Sequence, residues 1–253
     1  MRILRLTWAV AVNSFSESVR HRFFTLFSVF AFTAIYASVL AGVMAVDQEA
    51  RVLTDFGLAL MELTALAFAI FNAASVLPKE AETKTIYLVF SRPVPRGVYL
   101  AGKLAGSLLT SALMLAVMGA MHLLLLKVRG FGVPPCYGWA LAGSMLKLCV
   151  ITSFAFFVSL FSTSAVSTMV ISGVVWTAGH FASETRFLAD QSAGVKSAGL
   201  KAAMWLIPNL QLFNARDLSG AACSIAPPAF LSAAAWVGGS YLAALWLISK
   251  KEF

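Results

Sequence analysis

Charge is what this sequence has least of. Only 12% of its 253 residues are charged, about half the share of an ordinary soluble domain. A chain so poor in charge cannot cover a globule in water. That excludes a soluble fold and favours lipid, where the outside of a helix can be as apolar as a core. Histidine and cysteine are also scarce, at three each. Cys136, Cys149 and Cys223 show no CxxC spacing, so neither a zinc site nor a disulfide framework is implied. There is no HExxH, no GxSxG and no pair of intramembrane Asp residues, which removes the usual hydrolytic chemistries. We expect no catalytic residue, no metal centre and no cofactor.

What is abundant is apolar. Sixty per cent of residues are hydrophobic, 20 of them Phe, and the mean hydropathy is +0.84. A spanning helix needs about 20 mostly apolar residues. Six stretches meet that: Phe23–Val46, Phe56–Leu77, Leu104–Leu126, Trp139–Phe161, Ala165–Ala182 and Ala229–Ile248. The expected fold is therefore an all-α integral membrane protein in one domain, residues 1–253. The first apolar stretch is longer than the core of a cleavable signal peptide and reads as a retained span.

Orientation follows from the basic residues, because Lys and Arg collect on the cytoplasmic side. Arg2, Arg5, Arg20 and Arg22 precede the first span. Lys79, Lys84, Arg92, Arg96 and Lys103 lie between the second and third, and Lys250 and Lys251 follow the last. The loop holding Asp47, Glu49, Arg51 and Asp55 is net negative. Both termini are expected in the cytoplasm, at a bacterial cytoplasmic membrane. Cys136 and Cys223 then share the outer side, which leaves a disulfide between them open. The net charge of +8 is spent on these anchors, and no soluble basic domain remains to bind nucleic acid.

Residues 1–22 form a separate element. Leu4, Trp8, Ala11, Val12, Phe15 and Val19 recur at helical spacing, opposite Arg2, Arg5, Asn13, Ser16, Glu17 and Arg20. A basic amphipathic helix with an embedded Trp is expected to lie at the membrane interface, against lipid. The outer segment 183–228 includes an amphipathic stretch, Val195–Ile207, that predicts a short outer helix before the last span. Pro227 and Pro228 suit the start of that span.

The segment 79–103 carries the most specific pattern. Glu80, Glu82 and Lys84 open a helix-compatible run, with acidic residues suited to the positive end of a helix dipole. Ile86, Val89 and Phe90 give the run a sticky face, and Ser91-Arg92-Pro93-Val94-Pro95-Arg96 ends it. An amphipathic helix followed by a rigid basic turn suits docking of a partner. Anchoring alone would need Lys and Arg but not Thr85, Ile86, Pro93 and Pro95.

In order, Glu80/Glu82, Lys84-Thr85-Ile86, Ser91 to Arg96, Gly102-Lys103, then Ile207-Pro208-Asn209-Leu210, Phe213 and Arg216-Asp217 resemble type 2 ABC transporter permeases. The set is most similar to the branch of multi-copper enzyme and nitrous oxide reductase maturation permeases. The resemblance covers essentially the whole chain. It implies a coupling helix near 79–90 seated in a separate cytoplasmic ATPase, with Glu80, Glu82, Thr83, Lys84, Thr85, Ile86, Ser91, Arg92, Pro93 and Arg96 as coupling residues. Two permeases and two ATPases would form an exporter. Two other readings stay open: a non-transporting scaffold that recruits an ATPase, and an ion-coupled transporter working through Glu62 and Lys147.

Several features weigh less. Gly97-x4-Gly102-Lys103 mimics a phosphate loop, but Leu104 stands where Ser or Thr would hold magnesium, and no strand precedes it. Gly102 and Gly106 form a GxxxG, which permits close helix approach. Glu62 and Lys147 are expected inside the membrane, either paired with each other or lining a path. Met114, Met118, Met121 and His122 form a stripe that reads as packing, with copper ligation as the rival. Small residues of the fifth span, among them Ser167, Gly173 and Thr177, suit contact with a second copy.

Overall fold

The computed structural model describes residues 2–45, 48–83, 95–162, 164–191, 207–214 and 225–250. Among these there is no β-strand. The helices are α1 (Arg2–Arg20), α2 (Arg22–Met44), α3 (Glu49–Glu82), α4 (Arg96–Val128), α5 (Tyr137–Phe161), α6 (Ala165–His180), α7 (Ala182–Gln191) and α8 (Pro227–Lys250), with a 3-10 turn at Leu210–Phe213. Five of them, α2, α3, α4, α5 and α8, are long and apolar enough to cross a membrane. The chain is a membrane-embedded helical bundle.

The expected fifth span is broken. Helix α6 has 16 residues, roughly 24 Å at 1.5 Å per residue, short of the ~30 Å hydrocarbon core. At Phe181 the chain bends, and α7 leaves at 65° to α6. The two count as a sixth span only as a bent pair. The last span starts at Pro227, as its prolines predicted.

Helices α3 and α5 form the centre. Buried residues make up 61% and 67% of their most apolar stretches, against 22% for α2 and for α8. The core joins Met61, Ala65 and Phe68 of α3 to Met114 and Met118 of α4 and Leu148 and Ile151 of α5. Helices α2 and α8 flank it and keep Val29, Phe30, Leu40, Leu231, Leu242 and Trp246 exposed, as lipid-facing helices do.

Helix α1 packs mainly on α4, and the packed face is not the large apolar one. Ala11, Ser14 and Ser18 are buried, whereas Ile3, Leu4, Trp8 and Val12 are exposed. The GxxxG explains this. A Cβ at Gly102 would lie 2.6 Å from Cβ of Val10, and one at Gly106 would lie 2.6 Å from Cβ of Ser14. Small residues on both helices let the backbones meet, and the bulky face is left exposed. Ala11, placed by periodicity on the lipid face, turns inward instead.

Helix α3 continues through Pro78 to Glu82, so Glu80 and Glu82 lie in its last turn and do not open a new helix. They sit at the negative end of the helix dipole, the reverse of the favourable placement argued above. Lys84, Thr85, Ile86, Ser91, Arg92 and Pro93 lie outside the described residues, as do Val195–Leu206, Arg216-Asp217 and Cys223.

Candidate functional site

Three polar clusters interrupt the apolar bundle, one at each end and one between. At the end where α1 lies, the last turn of α3 meets the first two turns of α4. Tyr99 and Lys103 are four apart and share one face of α4. Lys103 is 3% exposed and makes an ion pair with Glu80, which also accepts a hydrogen bond from the Tyr99 hydroxyl. Glu17 of α1 closes the knot, 3.2 Å from Lys79 and 3.6 Å from Lys103. Beside it, Arg96 donates to the backbone carbonyl of Ile248 at 2.8 Å and to that of Ser249 at 3.3 Å. These are carbonyls of the last turn of α8, which otherwise lack intrahelical partners. Tyr241 adds a hydrogen bond to the carbonyl of Gly97 at 3.0 Å. Both roots of the segment between α3 and α4 are thus tied to α1 and α8.

In the interior, Glu62 of α3 and Lys147 of α5 form a direct ion pair at 2.7 Å, 6% and 1% exposed. The hydroxyl of Ser144, one turn before Lys147, donates to the other Glu62 oxygen at 2.8 Å. Lys147 also donates to the side-chain carbonyl of Asn214. Asn214 follows the 3-10 turn, whose Leu210 and Phe213 are buried in the core. The segment 207–214 wedges between α5 and α6, where the carbonyl of Phe213 lies against Gly143 and that of Pro208 against Gly179. A buried pair of charges is tolerated when geometry and added hydrogen bonds repay desolvation, and this one has both.

At the far end, His122 is fully buried on α4. Its Nε2 donates to the carbonyl of Leu53 at 3.3 Å, and its Nδ1 lies 3.0 Å from the Tyr137 hydroxyl. That hydroxyl also lies 3.1 Å from the carbonyl of Gly119. Gly57 has no room for a side chain against the imidazole. Glu49 and Arg129 make an ion pair nearby. Cys136 is disulfide-bonded, and Cys149 is free.

The structure brings some of the expected site residues together and leaves others apart. Glu62 and Lys147 meet. Glu80 and Arg96 are each engaged within the chain, and Thr83 is exposed and hydrogen-bonds back to Lys79 at 2.8 Å. Ser167 and Thr177 are exposed on α6, and a Cβ at Gly173 would meet nothing within 4 Å among the described residues. Met114 and Met118 are core residues, Met121 is 41% exposed, and both His122 nitrogens are occupied. Among the described residues no group of His, Cys, Asp and Glu is placed to hold a metal. Sequence reasoning missed Tyr99, Ser144 and Asn214 as partners of the buried charges. The four-residue spacing of Tyr99 to Lys103 and the three-residue spacing of Ser144 to Lys147 were the available signals. Set against known proteins, the sequence matches no family model and no curated protein.

Proposed function

We propose that the chain is the membrane-spanning subunit of an ATP-binding-cassette exporter of type 2. It works as a homodimer and is driven by two copies of a separate cytoplasmic ATPase. The ordered motif set between Glu80 and Lys103 carries the reading. The braced roots of that segment support it: a push on residues 84–94 would be delivered through Glu80 and Lys103 to α1, and through Arg96 to the end of α8. Roots tied in this way suit the transmission of a partner's closure into helix motion. With this segment cytoplasmic, both termini are cytoplasmic and Cys136 is outside. A disulfide belongs in such an oxidising compartment. The membrane is then a bacterial cytoplasmic membrane crossed six times, the bent pair included, and substrate moves outward along the dimer interface. Ser167, Gly173 and Thr177 mark the exposed side of α6 where a second copy would sit.

The test is affinity purification from native membranes with ATP hydrolysis measured on the eluate. The chain is expected to carry an ATPase subunit at one copy per permease. Ile86→Glu with Arg92→Glu should remove it while membrane insertion stays normal. Undiminished ATPase activity with the double variant would overturn the docking claim. ATP-dependent flux in vesicles separates an exporter from a subunit that only passes force. The ion-coupled reading has less support, because Glu62 and Lys147 are closed on each other, Ser144 and Asn214.

A further inference from the structure

A second polar feature lies at the α1 end, outside the knot. The elbow between α1 and α2 and the side of α3 enclose a crevice with about 40 Å³ of water-accessible space. That is room for a few water-sized groups, not for a whole ligand. Phe23, Phe24, Phe68 and Phe71 line the crevice together with Asn72, His21 and Lys79. Asn72 is 9% exposed. Its Oδ1 accepts from Ser18 at 3.1 Å, while its Nδ2 has no partner among the described residues. A buried donor left open is costly, so the position asks for an acceptor.

The surroundings say which kind. The crevice opens where the apolar run of α2 begins at Arg22, the depth at which a bilayer changes from headgroup to acyl chain. The positive end of the α2 dipole lies beside it. Arg20, His21 and Arg22 flank the elbow, and Lys79 lines the mouth. The one carboxylate there, Glu17, is already matched by Lys79 and Lys103. With Lys79 paired to Glu17, the excess positive charge at the elbow comes from exposed Arg20 and Arg22. The interior holds one open donor among the described residues, and Phe23 and Phe24 continue the lining onto α2.

We infer that this crevice is a binding site for an anionic phospholipid of the leaflet on which α1 lies. Its phosphate sits among His21, Lys79 and the α2 N-terminus. A glycerol-ester carbonyl accepts from Asn72, and the chains leave along Phe23 and Phe71. The lipid would tie α1 to α3 at the elbow. This inference requires only that the chain spans a membrane and is independent of any ATPase.

Native mass spectrometry of the detergent-purified chain, titrated with phosphatidylglycerol, tests it. One tight adduct is expected, with phosphatidylcholine at least about tenfold weaker, as loss of one charge-assisted contact predicts. Asn72→Leu and Lys79→Gln should each weaken the phosphatidylglycerol adduct by about tenfold, while Lys127→Gln at the opposite end leaves it unchanged. Lys79 is at the surface, so its variant tests the site even where Asn72→Leu fails to fold. Equal phosphatidylglycerol binding by wild type and Lys79→Gln would overturn the assignment. So would displacement of the lipid by soluble glycerol phosphate at matching concentration, which would make the site one for free phosphate.

Discussion

Lys147 shows how much one side chain can cost or contribute in this bundle. Its charge is matched by Glu62 and its ammonium also donates to Asn214, while Ser144 holds the other Glu62 oxygen. Lys147→Met should strand the Glu62 carboxylate and lower unfolding stability in detergent by about 3 kcal/mol, whereas adding Glu62→Leu should recover most of the loss. A double variant no more stable than the single would show that the two charges do not depend on each other. Gly106 makes the opposite point, since what matters there is a missing side chain. Gly106→Leu pushes into Ser14, and overpacking of this kind costs about 1–3 kcal/mol. Protease cleavage within residues 2–20 should then appear in a protein that otherwise stays folded. The sequence made the pairing of Glu62 with Lys147 legible, because two lone opposite charges in apolar helices have few other options. It could not show that Gly102 and Gly106 serve α1, since a GxxxG specifies close approach but not the partner.

Among the elements, the α3–α4 pair and its ties to α1 and α8 decide how the molecule could move. Arg96 holds the last carbonyls of α8 from a position 152 residues away in sequence. Arg96→Ala should speed hydrogen exchange at the α8 C-terminus by about tenfold, the loss of one charge-assisted hydrogen bond, and leave exchange at its N-terminus near Ala229 unchanged. Exchange unchanged at both ends would mean that the tie carries no energy. The apolar runs revealed the long helices well, but their true ends lay outside those runs. Helix α3 has 34 residues, roughly 50 Å, so it extends well past a bilayer core. Hydropathy stops at the lipid boundary while helical hydrogen bonding continues, so the sequence around Glu80 reads as a helix start although it is a helix end. The break after His180 escaped notice for a related reason: the apolar run continues through Phe181 and Ala182 although the axis turns.

For the whole molecule the ordering of ends is the decisive property. A Cys introduced at Lys84, with Cys136, Cys149 and Cys223 replaced, should react with a membrane-impermeant maleimide in inverted vesicles and not in intact cells. Labelling from the outside of intact cells would place the α3–α4 segment in the wrong compartment and end the exporter reading. That the chain is a membrane bundle was plain from its lack of charge. That its interior is closed by a segment arriving from beyond α7 was not, because Ile207-Pro208-Asn209 carries no apolar signal. The closure has a consequence. Pro208 and Phe213 fit flush only because Gly179 and Gly143 present bare backbone. A single methyl at Gly143 would lift the wedge like a shim under a stopper and draw Asn214 off Lys147. Water would then reach the Glu62–Lys147 pair.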